Sequence, residues 1–330
     1  MRPTEVKEVV KALYEVRRTL CVEGSPGGGK TTIIRQCAEE LGLEYQELHM
    51  PTMLVEDFGI PLPQDGVLQY TIPWWFPQDP DSRGILCFDD RNQASADLQK
   101  VLANICQARE LHGHKLPDGW MVVSTGNRQK DRAGANRVLS HLRNRETVIE
   151  METSIDDWIN WAFKNNVPGE LIAFLKFRSD LLDKFDPAAD VNPTPRSWTE
   201  GVGGIMGVVP KHVEVTCFAG AVGAGPATEF KAFLDVFRDL PDPDKSLKDP
   251  DDAVLPTKTN VKYAFAAAIA MRGKASNATN FFKLILRFDP EFMMLAANMA
   301  LRGPNSKELT ATKAFQEFAV TKDIQQLLVS

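Results

Sequence analysis

Gly24-Ser25-Pro26-Gly27-Gly28-Gly29-Lys30-Thr31 constrains this chain more than any other feature: two glycines bracket four residues, and Lys-Thr follows. Glycines let backbone N–H groups turn inward on phosphates, and the helix that follows presents its positive end to them. Lys30 can then reach the β and γ phosphates of a nucleoside triphosphate, and the Thr31 hydroxyl can ligate Mg2+. The pattern has this meaning only between a strand and a helix. Thr19–Glu23 reads as a buried strand and Thr31–Glu40 as a helix that stops at Gly42, so the setting is met. A glycine-rich turn ending in a chance Lys-Thr would lack it. Gly24, Pro26, Gly27, Gly28, Gly29, Lys30, Thr31 and Thr32 form the expected nucleotide-binding set.

The rest of the first half alternates short apolar runs with helical patterns, the signature of an open α/β sheet. Tyr45–Met50, Ile85–Phe88, Trp120–Thr125 and Thr147–Met151 read as further strands, and Ser95–Arg109 as a helix. Two of these strands end in groups useful beside a phosphate loop. Gly84–Asp90, GILCFDD, closes an apolar strand with two acids. Asp89 can hold the Mg2+ shell, and Asp90 can orient or deprotonate an attacking water. Val122–Asn127, VVSTGN, ends in an amide that can bond the γ-phosphate or that water. Alone, an Asp-Asp pair is a helix cap or turn and an Asn is a turn former. The phosphate loop gives both a common position.

After Met151 helical spacing takes over, with no convincing strand: Ile155–Lys164, Glu170–Phe185, Trp198–Met206, Val213–Val222 and Thr228–Leu240. Pro241–Asp252 (PDPDKSLKDPDD) reads as an acidic, proline-rich linker or surface loop. Short helices are expected again at Val261–Met271, Asn280–Phe288, Glu291–Leu301, Thr310–Phe318 and Lys322–Leu328. Within the first half, Ile60–Ile72 places Gln64-Asp65-Gly66 between two β-prone arms, a hairpin signal.

Composition removes whole classes of function. The 330 residues carry a net charge of −6, which argues against a protein whose main work is neutralising a phosphate backbone, though a local basic patch stays open. No apolar run approaches the roughly 18–20 residues of a membrane span; Ala264–Met271 and Phe292–Ala297 are the longest candidates. The opening MRPTEVKEVVKALYEVRR lacks the apolar core of a signal peptide. Cys21, Cys37, Cys87, Cys106 and Cys217 are odd in number, widely spaced and without CxxC, so they read as buried hydrophobes in a reducing cytoplasm. Trp74-Trp75-Phe76 reads as a cluster packing a loop onto the sheet, with a partner-binding patch as the other reading. Phe281-Phe282 and Phe292-Met293-Met294 read as helix core, and Asp249–Asp252 as a solvated face.

With these residues in place the chain resembles the AAA+ ATPases, and within them the MoxR-like branch. GSPGGGKTT resembles the Walker A motif, and GILCFDDRNQAS the Walker B motif with its following helix. VVSTGNRQKDRAGANRVLSHLRNR is similar to the sensor 1 strand and the segment leading to the arginine finger, and NPTPRSW to the sensor 2 segment. The tail from Val261 to Leu328 is similar to the helical extension of bacterial members. The resemblance implies an α/β fold: a P-loop AAA+ core with a five-stranded parallel sheet, then an α-helical lid and a C-terminal helical extension. The expected divisions fall at residues 1–153, 154–240 and 241–330.

Carried over residue by residue, the resemblance makes Asn127 the sensor 1 residue. It makes Arg145 the finger reaching the neighbouring subunit's ATP site, and Arg196 the lid arginine on the γ-phosphate of its own subunit. Arg143 stays open as the finger; Asn144-Arg145 matches the family's Asn-Arg. The basic residues Arg128, Lys130, Arg132 and Arg137 could touch nucleic acid, but their place beside the finger favours an intersubunit or nucleotide-proximal role. Ile60–Ile72 and Glu110–Pro117 match the family's two inserted hairpins, which face a pore or a partner and would leave His112 and His114 at an exposed tip. The implied ligands are ATP and Mg2+. The implied partners are further copies of the chain in a ring, expected as a hexamer, a protein client, and a von Willebrand factor A-like protein. One departure stands out. The family closes its Walker B motif with Asp-Glu, and this chain has Asp89-Asp90, one methylene shorter, which weakens turnover more than binding.

The resulting expectation is a cytoplasmic Mg2+-dependent ATPase that remodels or assembles a protein client as a ring. Two alternatives stay open: a slow-turnover, nucleotide-dependent binding switch, and a DNA-directed motor or loader.

Overall fold

The computed structural model describes residues 1–128, 131, 140–238 and 240–320. The expected helix Lys322–Leu328 and the basic residues Lys130, Arg132 and Arg137 lie outside them. The chain divides into two units, Met1–Ser154 with Phe185–Asp190, and Ile155–Lys184 with the chain from Val191 onward.

Strand alternation sets the architecture of the first unit. In chain order its elements are α1 (Pro3–Glu15), β1 (Leu20–Gly24), α2 (Lys30–Leu41), β2 (Glu44–His49), β3 (Pro61–Gln64) and β4 (Val67–Tyr70). There follow β5 (Arg83–Asp89), α3 (Ala96–Ala108), β6 (Glu110–Leu111), β7 (His114–Lys115), β8 (Gly119–Asn127), α4 (Ser140–Arg143) and β9 (Thr147–Met151). Five strands form one parallel sheet in the order β2-β5-β8-β1-β9. The α/β expectation with a five-stranded parallel sheet therefore holds. Because successive side chains point to opposite faces, Leu20, Val22, Ile85, Cys87, Met121 and Val123 pack with α1 and α2 on one face. Leu86, Phe88, Trp120 and Val122 pack with α3 and Leu142 on the other. Apolar runs buried on both faces are what a parallel sheet demands.

Helix α1 carries its proline in the first turn and buries Val6, Val10 and Tyr14, a four-residue spacing that lays one stripe inward. The expected hairpin forms as β3 and β4, with Asp65 and Gly66 at φ 50° and 81°, the left-handed pair a two-residue turn needs. The second forms as β6 and β7. His112 is exposed at its tip, as expected, with its ring stacked on Tyr70 at 3.9 Å so that the two hairpins are joined, whereas His114 is half-buried. In the aromatic cluster, Trp75 and Phe76 are buried and Trp75 meets Phe58 and Phe88 edge-on, whereas Trp74 is 83% exposed.

Among the described residues the second unit is helical: α5 (Ile155–Lys164), α6 (Gly169–Phe177), α7 (Glu214–Val222), α8 (Ala224–Arg238), α9 (Pro243–Lys248), α10 (Thr259–Ala270), α11 (Ala278–Ile285), α12 (Pro290–Arg302), α13 (Ser306–Thr310) and α14 (Lys313–Val320). One apolar cluster runs through it from Trp158 to Phe318. No described helix is long and apolar enough to cross a membrane. Two segments differ from expectation. The helix expected to reach Phe185 stops at Phe177, where the Arg178 guanidinium turns back onto both oxygens of Asp180 at 2.9 Å. Inside Pro241–Asp252, Asp242 caps α9 by accepting from Asp244 N–H at 2.9 Å, Pro243 occupies the first helical position, and Leu247 is buried.

Trp198, on a short π-helical turn over Ser197–Gly203, is fully buried against Phe174 and Phe230 and donates from Nε1 to the Leu181 carbonyl at 2.6 Å. Trp198→Ala therefore opens a cavity in the second unit's core and strands a carbonyl. The expected loss is about 3–5 kcal/mol, read as an earlier urea transition for that unit; a loss below about 1 kcal/mol would contradict this packing.

Candidate functional site

Parallel strands bring their carboxyl ends to one edge, where α/β proteins place ligands. Here Gly24 of β1 is in register with Asn127 of β8, and His49 of β2 with Asp89 of β5. The loop 24–29 leaves β1 and delivers the chain to α2. Gly29 caps that helix at φ 89°, a left-handed conformation side chains rarely adopt, and a Cβ on Gly24 would lie 2.9 Å from the Met151 carbonyl. Lys30 and Thr31 thus occupy the first turn of α2, whose N–H groups lack helical acceptors and attract anions.

Lys30 is buried, and its Nζ donates to Ser25 O at 3.0 Å, to Gly24 O at 3.2 Å and to Asn127 Oδ1 at 3.0 Å. The expected lysine and sensor amide therefore meet directly. Thr31 Oγ1 donates to Asp89 Oδ1, which also accepts from Thr125 Oγ1 at 2.7 Å. His49 Nδ1 lies 3.2 Å from Asp89 Oδ2. Burial alone would raise the Asp89 carboxyl, but hydrogen bonds from Thr31, Thr125 and His49 prevail and hold it below the usual carboxylate range. A hydroxyl and an ionised carboxylate side by side are hard oxygen donors, the set Mg2+ prefers. His49, Asp89 and Asp90 also present ligand atoms within 4.8 Å of one another.

Asp90 sits at φ 53°, in the left-handed region. Its N–H donates to Thr125 Oγ1 at 3.0 Å and its Oδ2 accepts from Gln93 Nε2 at 3.1 Å. Aspartate tolerates this backbone better than longer side chains do, which gives the missing methylene a local reason. Pro26 and Thr32 belong to the same loop and helix start, Thr32 exposed.

Three residues that the motifs did not single out complete the cluster. Asn92 is buried, donates from Nδ2 to the Asn127 carbonyl at 2.7 Å, and accepts from Asn127 N–H at 3.3 Å, so it fixes the amide that meets Lys30. Thr125 bridges Asp89 and Asp90, and His49 closes the far side. The available signal was position alone: each is a polar residue at the carboxyl end of a strand or one turn beyond.

Arg145 precedes β9 by two positions, at the strand-start edge of the sheet, and its Nε donates to Gln107 Oε1 near the end of α3. Five residues of β9 at about 3.3 Å each put roughly 16 Å between that edge and the phosphate-loop edge. Arg143 is 46% exposed and lies 3.5 Å from Glu23 Oε1. Arg128 pairs with Asp131 at 2.8 Å. In the second unit Arg196 is exposed, with no hydrogen bond or ion pair among the described residues, two positions before the buried Trp198.

No protein family matches the chain by its sequence model, and no curated protein matches it. Among solved structures, a candidate ATPase from Cytophaga hutchinsonii is 14% identical at a TM-score of 0.36, over 96% of this chain and 87% of that one. NtrX from Brucella abortus in complex with ATP is 12% identical at 0.37, over 71% of this chain and 63% of that one. Its ADP complex is 10% identical at 0.36, over 98% and 68%. At these scores the likenesses carry no weight beside the site's own geometry.

Proposed function

We propose that this protein is a Mg2+-dependent ATPase of the AAA+ type, in its MoxR-like branch, working as a ring. The observation that carries the reading is the joining of Lys30 to Asn127 and of Thr31 to Asp89 at one sheet edge, directly below a glycine-rich helix N-terminus. Lys30 and the first turn of α2 hold the phosphates. Thr31 and Asp89 would hold the cation, which would supply neutralisation of phosphate charge when bound. Asp90 and Asn127 orient the attacking water, with Asn92 fixing Asn127. The family resemblance assigns Arg196 to the γ-phosphate of its own subunit, and Arg145, remote from its own phosphate loop, serves the site of a neighbouring copy.

The client is proposed to be a protein, met through the exposed arms of β3 and β4, where Leu62, Val67 and Leu68 face solvent. A von Willebrand factor A-like partner and a hexameric ring follow from the family resemblance. The free and mostly buried cysteines suit a reducing compartment such as the cytoplasm.

Phosphate release from ATP and Mg2+, followed in the wild type and in Asp90→Glu, tests the reading. The left-handed backbone at Asp90 is a specific ground for the second reading, a binding switch whose short acid barely turns over. A Glu there must hold the same φ at a cost of roughly 1–2 kcal/mol, so in an ATPase tuned to Asp90 the substitution leaves turnover unchanged or lowers it. A gain of about tenfold, some 1.4 kcal/mol, would favour the switch. Absence of ATP binding by the wild type would overturn both.

A further inference from the structure

Arg91 ranks with Trp198 among the largest fully buried side chains described, and nothing in the proposed chemistry uses it. Its backbone follows Asp90 at the phosphate-loop edge, and its side chain runs across the α3 face of the sheet. Nε lies 3.0 Å from Ser124 Oγ and 3.0 Å from Cys21 Sγ. Burial pushes the Cys21 thiol up to about 12, so that sulfur is neutral. Nη2 lies 3.1 Å from Glu146 Oε2 and 3.3 Å from Glu23 Oε1. Ser124 passes the connection on, donating to Glu146 Oε1 at 2.5 Å.

Both acids belong to the arginine segment's surroundings. Glu146 stands between Arg145 and the first residue of β9, its side chain wholly buried. Glu23 meets Arg91 inside and Arg143 outside, the latter at 3.5 Å. One side chain rooted beside Asp90 therefore grips the segment 143–146 at the other edge of the sheet.

Charge is an expensive way to hold a loop. Desolvating each ion costs several kcal/mol, and well-packed apolar residues often hold a chain as firmly or better. This network is also incompletely satisfied: among the described residues Arg91 Nη1 has no hydrogen-bond partner, and Glu146 Oε2 has an ionic contact without a well-directed hydrogen bond. What an ionic network offers beyond apolar packing is direction.

We propose that Arg91 is a positioning residue: through Glu146 it sets the placement of the Arg145 that each subunit offers to its neighbour, tying Asp90 of one ATP site to the finger of the next. This rests on the ring reading above, in which Arg145 acts between subunits.

Mixing subunits tests it. Arg91→Met with Glu146→Gln removes both charges at similar volume and keeps an acceptor for Ser124, so neither ion is left stranded. Turnover per chain falls about 100-fold, the effect of misplacing a reacting group by about 1 Å, while ATP binding is retained. Adding Lys30→Ala subunits, which lack a working site but carry a well-placed Arg145, restores turnover at least tenfold. Arg145→Ala mixed with Lys30→Ala is the reference pair. If the reference pair recovers and the Arg91 pair does not, Arg91 acts on its own site or on the fold, and the proposal is overturned while the ring reading stands. If the reference pair also stays silent, the intersubunit finger is wrong and the proposal falls with it. Glu146→Gln alone, which keeps Arg91 on Glu23, serves if the double variant does not fold. It loses less turnover and is rescued in the same way, and wild-type turnover in it would equally overturn the proposal.

Discussion

Turnover per chain is expected to rise steeply with protein concentration, and Arg145→Ala to lower its plateau by about 10³–10⁵-fold, the range an arginine finger supplies in phosphoryl transfer. The expectation follows from where the residue stands. Gly24, Asp89 and Asn127 end their strands at one edge, and Arg145 precedes the start of β9 at the other. A guanidinium about a strand's length from its own phosphate loop cannot stabilise charge there, because that stabilisation needs donors within hydrogen-bond distance of the developing oxyanion. It can do so only in another copy. The half-buried Arg145 is held by Gln107 on α3 and backed by the buried Glu146, whereas Arg143 extends from the surface to Glu23. Arg143→Ala is accordingly expected to cost far less. Phosphate release measured over a wide concentration range checks both statements. A flat, appreciable rate that survives Arg145→Ala would mean a site complete within one chain.

What the sequence made legible was whatever local pattern determines. Apolar runs located the five sheet strands to within a few residues, and Thr147–Met151 ends where expected. Gly42 terminates α2 in the left-handed conformation, and Asp65-Gly66 turns the first hairpin. The phosphate loop, Asp89 and Asn127 converge because a parallel sheet brings strand ends together. Long-range partner choice was not legible. That Asn92 would grip the backbone of Asn127, or Thr125 bridge Asp89 to Asp90, depends on neighbouring strands meeting in a particular register. Arg91 was least legible: nothing local marks an arginine after two acids as buried, and it is buried because Glu23 and Glu146, far apart in sequence, converge on it. Helix α9 was hidden by composition, since proline and aspartate signal a loop until Asp-Pro is read as a cap followed by a first helical residue.

Lys30→Ala is expected to abolish the ATP-dependent rise in thermal stability and to lower turnover by about 10²–10³-fold without weakening the empty fold. The last clause follows from the surroundings of the ammonium group. Lys30 is buried, and its Nζ donates to three uncharged oxygens, Gly24 O, Ser25 O and Asn127 Oδ1. Burying a cation carries a desolvation cost that neutral dipoles offset in part and an arriving anion offsets further. Removing it forgoes these hydrogen bonds but also relieves that cost, so the variant's own unfolding free energy is expected to stay within about 1 kcal/mol of the wild type. With ATP and Mg2+ at about one hundred times the dissociation constant, the wild type gains roughly 2.7 kcal/mol by mass action. The variant gains little at the same concentration. Thermal unfolding with and without ATP therefore separates a binding lysine from a structural one: a structural lysine lowers both curves together, and a binding lysine removes only the difference between them. Should Lys30→Ala keep both the full ATP-dependent shift and normal turnover, the glycine-rich loop of this chain is not where the triphosphate sits.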